Sequence, residues 1–355
     1  MGPERRRVLI SAEVLEEIEE VYGLLERAEQ PFTEIVIDGP DAVLQRLKPE
    51  IVDDRRVALR PYTLSTRSSV RNKLLGLISF AWLMLRERPQ LLFSGFSMMK
   101  HRAVSGLLHV PHFAYIRGVT FDPATSVGIS DGVRQGRFRR LVPQRVVATY
   151  HADEVFTVGE INRRFIVGRG MPDSRVHVVG PVWLDQARSA RSASKSPATY
   201  VVTGAWAAHG FHDEHDAQTS MLADVAATWH DESELVIRVH PRDDFPYSAD
   251  PRFSGVHLST EPPAEFLASL GPADVVVAPL STLAFEALHL GARVAFYADE
   301  HATRSYNHVY KWLGIVPCTG QQIAEGDVHP ITSTEVDVFS PVELAPVRRA
   351  FATLR

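Results

Sequence analysis

The chain has one cysteine, Cys318, in 355 residues. That excludes an intrachain disulfide and any cysteine-based zinc cluster, and it fits a reducing compartment. Neither sign of charge dominates: 38 Lys and Arg stand against 43 Asp and Glu, a formal net charge of −5. No bulk basic field therefore argues for a nucleic-acid partner. No repeat of solenoid length is present. The start, Met1-Gly2-Pro3-Glu4-Arg5-Arg6-Arg7, runs straight into Val8-Leu9-Ile10. With no apolar leader or small-residue cleavage site there, the expected location is cytoplasmic. Long apolar runs are missing too. The longest, Leu74 to Leu85, lies between Lys73 and Arg86 and falls short of the roughly 20 residues needed to span a bilayer. It reads as a helix buried in the first domain. The alternative is peripheral docking at the inner face of the membrane.

What remains is a globular composition, 45% hydrophobic and 23% charged, on a chain too long for one ordinary core. Apolar bursts alternate with helical patterns. Strands are expected at Arg7 to Ser11, Phe32 to Ile37, Leu91 to Ser94 and His112 to Ile116, with helices at Val14 to Ala28, Ser69 to Leu85 and Met99 to Leu108. Alternation of this kind predicts parallel sheets covered on both faces. Gly118 to Gly136 is a Gly/Ser/Asp/Thr-rich loop, and Arg134 to Arg145 is basic. Gln186 to Ala198, rich in Ser, Ala and Arg, reads as a linker, after which the alternation restarts. The division expected is residues 1–185, a linker 186–198, a second domain 199–335 and a closing helical segment 336–355.

The chemistry concentrates where apolar strands end. Val236-Ile237-Arg238-Val239-His240-Pro241-Arg242 stops on His-Pro between two arginines, and Val275 to Ala278 leads through Pro279-Leu280 into Ser281-Thr282 and a helix. Groups at the carboxyl ends of parallel strands converge on the ligand crevice, and a helix N-terminus there binds anions. Arg238, Arg242, Ser281 and Thr282 are thus candidates for a nucleotide's phosphates. Glu286 is the candidate for its ribose hydroxyls, and Gly204 for close approach of backbone to the ligand. His240 would donate to phosphate or act as general acid. Asp213 and Glu214, in a loop with His209, His212, His215 and Asp216, would supply a base. The spacing of those histidines does not match a zinc motif, so no metal is expected.

These residues resemble a family. Two Rossmann-like doubly wound α/β domains facing a central cleft, the Gly170-x-Pro172 and Gly180-Pro181 exit, and the Ser-Thr-x-x-x-Glu-Ala helix are similar to GT-B glycosyltransferases. Within that class, Arg238-Val239-His240-Pro241 resembles the HP motif of bacterial polysialyltransferases and of CDP-glycerol glycerophosphotransferases, and Ser281-Thr282 their S motif. The resemblance implies a nucleotide-sugar donor bound as substrate by the second domain, with no cofactor. It implies a glycan or lipid-linked acceptor at the first domain and the 118–145 segment, in surface polysaccharide (capsule or cell-wall) synthesis. There are departures. His215 stands where the polysialyltransferase paired-acid motif has glycine, and Ala278 where a Glu-x7-Glu motif would need an acid. A CDP-polyol phosphotransferase is one alternative. Another is a UDP-sugar 2-epimerase of the same architecture, although its Asp-Ser-Gly-Gly loop is absent before Leu283. A sugar-nucleotide sensor without turnover is the non-enzymatic reading.

Overall fold

The computed structural model describes residues 6–29, 32–62, 70–95, 99–118, 152–168, 171–184, 197–204, 206, 212–229, 234–297, 310–311, 313–332 and 338–354. The glycine-rich and basic segments, from residue 119 to 145, and most of the expected linker lie outside them. The described residues form two compact units. One holds those up to 118, 152–183 and 340–354; the other holds those between 184 and 339.

The first unit is built on strands β1 (Arg7–Ser11), β2 (Glu34–Pro40), β3 (Val57–Tyr62), β4 (Leu91–Ser94), β5 (His112–Ile116), β6 (Glu154–Thr157) and β7 (Val176–Val178). All pair in parallel in the order β3-β2-β1-β4-β5-β6-β7. Val8, Leu9 and Ile10 are buried together, as a strand covered on both faces requires. Helix α1 (Leu15–Arg27) turns Ile18, Val21, Leu24 and Leu25 inward. Short helices α2 (Asp41–Leu44) and α3 (Pro49–Val52) precede β3. Strand β3 escaped the sequence reading because it is a half-exposed edge carrying Arg60 and Pro61, and an edge strand tolerates proline.

Helices α4 (Val70–Glu87) and α5 (Met99–Leu108) pack on each other. The expectation of a buried α4 is half right. Phe80, Leu83 and Met84 are buried, while Leu74, Leu75, Ile78, Trp82 and Leu85 are exposed. An apolar run longer than the stripe that the sheet can cover leaves its remaining sector outside. After α6 (Glu160–Gly168) the chain reaches Gly180 at φ +75°, where an added Cβ would meet the carbonyl oxygen of Ser340 at 2.6 Å. Only glycine fits that close approach. Helix α11 (Ala345–Ala352) sits on the same unit, with Phe351 stacked on Phe113 at 6.2 Å and edge-on to Phe32 at 5.7 Å.

The second unit carries β8 (Ala198–Val202), β9 (Glu234–Arg238), β10 (His257–Ser259), β11 (Val275–Ala278) and β12 (Arg293–Phe296), parallel in the order β10-β9-β8-β11-β12. Its helices are α7 (His212–Thr228), α8 (Pro263–Ser269), α9 (Thr282–His289) and α10 (Gly320–Ala324). One core cluster joins Val201, Leu222, Val225, Ile237, Val277, Tyr297 and Ile323. In each unit the strand order reverses beside the first strand, between β1 and β4 and between β8 and β11. Those are the topological switch points at which open α/β sheets bind ligands.

Candidate functional site

The site in the second unit is assembled from the carboxyl ends of β8, β9 and β11. Strand β8 leaves through Thr203 and Gly204. The Thr203 hydroxyl accepts the His240 backbone N–H at 2.8 Å, and the Gly204 N–H donates to Gln218 Oε1 at 2.6 Å. The same Gln218 oxygen accepts the Tyr297 hydroxyl at 3.2 Å. His240 and Gly204 are thereby tied to one corner.

His240 is half-buried, and its Nδ1 accepts the backbone N–H of Arg242 at 3.0 Å. An accepting Nδ1 puts the proton of the neutral ring on Nε2, which is then a donor. The ring is therefore set to donate a hydrogen bond; acting as general acid would require it to carry a second proton. Arg242 is exposed and meets His240 through its backbone.

Arg238, the last residue of β9, is 2% exposed, and neither its Nε nor its Nη1 has a hydrogen-bond partner among the described residues. Phe266 of α8 lies 4.4 Å from the guanidinium. Burial lowers the arginine's pKa against a smaller opposing effect of Glu261. Its register partner on β10, Ser259, also buries a hydroxyl with no partner among the described residues. Unpaired buried cations are costly and point to an anion that completes them.

Ser281 caps α9, its hydroxyl accepting the Ala284 N–H at 3.3 Å, with Thr282 at the first helical position. Glu286 is buried at 2% exposure on the same helical face as Thr282. A surface glutamate is thereby ruled out.

The acidic cluster is placed differently from the expectation. Residues 212–228 are helix α7, so Asp213 and Glu214 occupy its first turn rather than a loop. Carboxylates there complement the helix dipole. Asp213 and Asp216 are exposed, Glu214 is half-buried, and His215 turns inward. His209 lies outside the described residues.

The sequence reading missed the group that holds this corner. The Asp243 carboxylate, fully shielded from solvent, lies 3.1 Å from His215 Nε2. It accepts the Tyr247 hydroxyl at 2.9 Å and the Phe245 N–H at 3.3 Å. His215, Asp243 and Asp244 are the group of described residues whose ligand atoms could hold a metal. The Asp243 oxygens, however, already serve these donors, which is the pattern of a structural anchor.

The switch point of the first unit carries a second buried polar group. Ser11 Oγ donates to Asp38 Oδ2 at 2.9 Å and lies 3.1 Å from His101 Nε2, while Ser94 Oγ lies 2.8 Å from His112 Nε2. Burial raises the Asp38 carboxyl to about 6, against the lowering effects of Ser11 and Lys100. Burial also drives the His101 imidazole well below its ordinary value. The signal for this group was present in the sequence: Ser11 and Ser94 each end an apolar strand.

No protein-family model and no curated protein matches the chain. Solved structures do. The Neisseria meningitidis UDP-GlcNAc 2-epimerase, bound to UDP-GlcNAc, is 13% identical, with 98% of each chain covered and a TM-score of 0.60. The Methanocaldococcus jannaschii enzyme of that name, in complex with UDP-GlcNAc and UDP, is 12% identical over 90% of this chain and 91% of its own, TM-score 0.60. The spinosyn forosaminyltransferase SpnP is 12% identical over 90% and 89%, TM-score 0.53. The fold is GT-B-like. At this identity the likeness is one of architecture, and it bears out the two Rossmann-like domains. It lends nothing to the narrower resemblance to polysialyltransferases or CDP-glycerol transferases.

Proposed function

We propose that this chain is an enzyme acting on a nucleotide-activated sugar, most simply a UDP-sugar, whose diphosphate is held by the second unit. Arg238 carries the reading: a buried guanidinium with N–H groups unpaired among the described residues, at the carboxyl end of β9, one strand from the switch point, suits a phosphate. His240 Nε2–H, the backbone at Gly204, and the α9 N-terminus at Ser281 and Thr282 would complete the phosphate contacts. Glu286 would face the ribose.

For the chemistry we favour 2-epimerisation of a UDP-sugar. The support is the pair of epimerase structures matched over 90% or more of this chain. Glycosyl transfer is the second reading, favoured by Pro279-Leu280-Ser281-Thr282 standing where the epimerases' Asp-Ser-Gly-Gly loop is expected. In transfer, Asp213 or Glu214 would take the acceptor's proton and a glycan or lipid-linked hydroxyl would be the acceptor. Incubating the protein with UDP-GlcNAc and following the sugar signals by proton NMR separates the two. A new UDP-sugar formed without any acceptor supports epimerisation. UDP released only when an acceptor is added supports transfer. No binding and no turnover of any UDP-sugar would remove the proposal.

A further inference from the structure

Helix α4 presents Leu74, Leu75, Ile78, Trp82 and Leu85 to solvent, each between 50% and 58% exposed. At 3.6 residues per turn they fall within a sector about 100° wide, opposite the buried Phe80 and Leu83. Leu107 of the neighbouring α5 is 75% exposed. A contiguous apolar strip of this kind, with a tryptophan in it, marks an interaction surface.

The charges around it favour one occupant. Arg86 lies over the Trp82 ring at 5.3 Å with half its side chain exposed, and Arg88 is exposed just beyond the helix. In sequence, Arg67, Arg71 and Lys73 precede the apolar run without an intervening acid. The only acid of α4, Glu87, is buried and paired with Arg60 at 2.8 Å, Arg7 at 3.1 Å and, more loosely, Arg86 at 3.6 Å. The exposed side is thus apolar along its length, cationic at its carboxyl end and free of acid. No described helix is long and apolar enough to cross a membrane. A stable homodimer needs about 800 Å² from each partner, more than five half-exposed side chains offer.

We propose that α4 docks this protein on an anionic lipid surface, with the apolar sector entering the headgroup–acyl boundary and Arg86 and Arg88 meeting lipid phosphates. The proposal stands apart from the choice between epimerase and transferase, because none of these residues belongs to the nucleotide site.

The test is co-sedimentation of the full chain with vesicles of phosphatidylglycerol and phosphatidylcholine against pure phosphatidylcholine vesicles. Binding should be at least tenfold tighter to the anionic vesicles. Ile78→Gln with Trp82→Gln should weaken it at least tenfold while leaving the melting midpoint and nucleotide binding unchanged. Arg86→Gln with Arg88→Gln should remove the preference for anionic vesicles. Equal sedimentation of parent and Ile78/Trp82 variant would overturn the proposal. So would a dimer, seen by light scattering, that the variant abolishes with no vesicle binding by the parent.

Discussion

Replacing Arg238 with methionine should separate stability from function. A buried guanidinium with two of its nitrogens unpaired among the described residues costs several kcal/mol in desolvation, of which the contact with Phe266 offsets about 2 kcal/mol. Methionine fills similar space with no charge to desolvate. Arg238→Met should therefore raise the stability of the ligand-free protein by about 1–3 kcal/mol. At a few degrees per kcal/mol, that is a visible rise in melting midpoint. The same change removes the charge-assisted bonds to phosphate, worth about 1.5–3 kcal/mol, and should weaken UDP about 10–100-fold. Paired melting curves with and without UDP read both effects. The parent should gain about 2.7 kcal/mol at a hundredfold excess over its Kd, and the variant, at the same concentration, only about 0.4–1.4 kcal/mol. A variant that is less stable than the parent and binds UDP equally well would make Arg238 an ordinary packing residue and not a phosphate ligand.

Other predictions follow from the same contacts. Ser281→Ala removes the α9 cap and should cost about 1 kcal/mol in thermal or urea unfolding while weakening nucleotide binding. Asp243→Asn leaves His215 and Tyr247 poorly matched and should cost about 2–3 kcal/mol by the same measurement. Asp38, raised from 3.8 to about 6, keeps its proton in the folded state while the unfolded chain loses it. Stability should fall as pH rises from about 4 to about 6, by about 3 kcal/mol at about 1.4 kcal/mol per pH unit, and level off above. Asp38→Asn should flatten that window in urea titrations at stepped pH. Asp213→Asn with Glu214→Gln should cut acceptor-dependent UDP release at least a hundredfold if transfer is the chemistry. It should leave acceptor-free turnover unchanged if epimerisation is.

The sheets were legible in the sequence because strands buried on both faces read as unbroken apolar runs. Val8 to Ile10 and Val275 to Ala278 are examples. Strand β3 was not, since an edge strand with Arg60 and Pro61 has no such pattern. The polar ends of β9 and β11 stood out because Arg, His and Ser interrupt apolar runs there. What the sequence could not show is pairing across distance. Asp243 meets His215 from 28 residues away, and Ser11 meets His101 from 90. Nor could it reveal that Arg238 is buried against Phe266 with its Nε and Nη1 unpaired among the described residues, which depends on three elements meeting. Helix α4 illustrates the same limit. Its apolar run was plain, but which sector the sheet covers is a property of the packing.

Calorimetric titration of the intact chain with UDP, and with CDP and CMP beside it, decides whether the second unit holds a nucleotide. UDP should bind with an affinity that Arg238→Met and His240→Ala both weaken. Tighter binding of CMP or CDP would move the donor to another class. No binding of any nucleotide by well-folded protein would contradict the account, leaving a GT-B-like fold whose buried arginine serves some other anion.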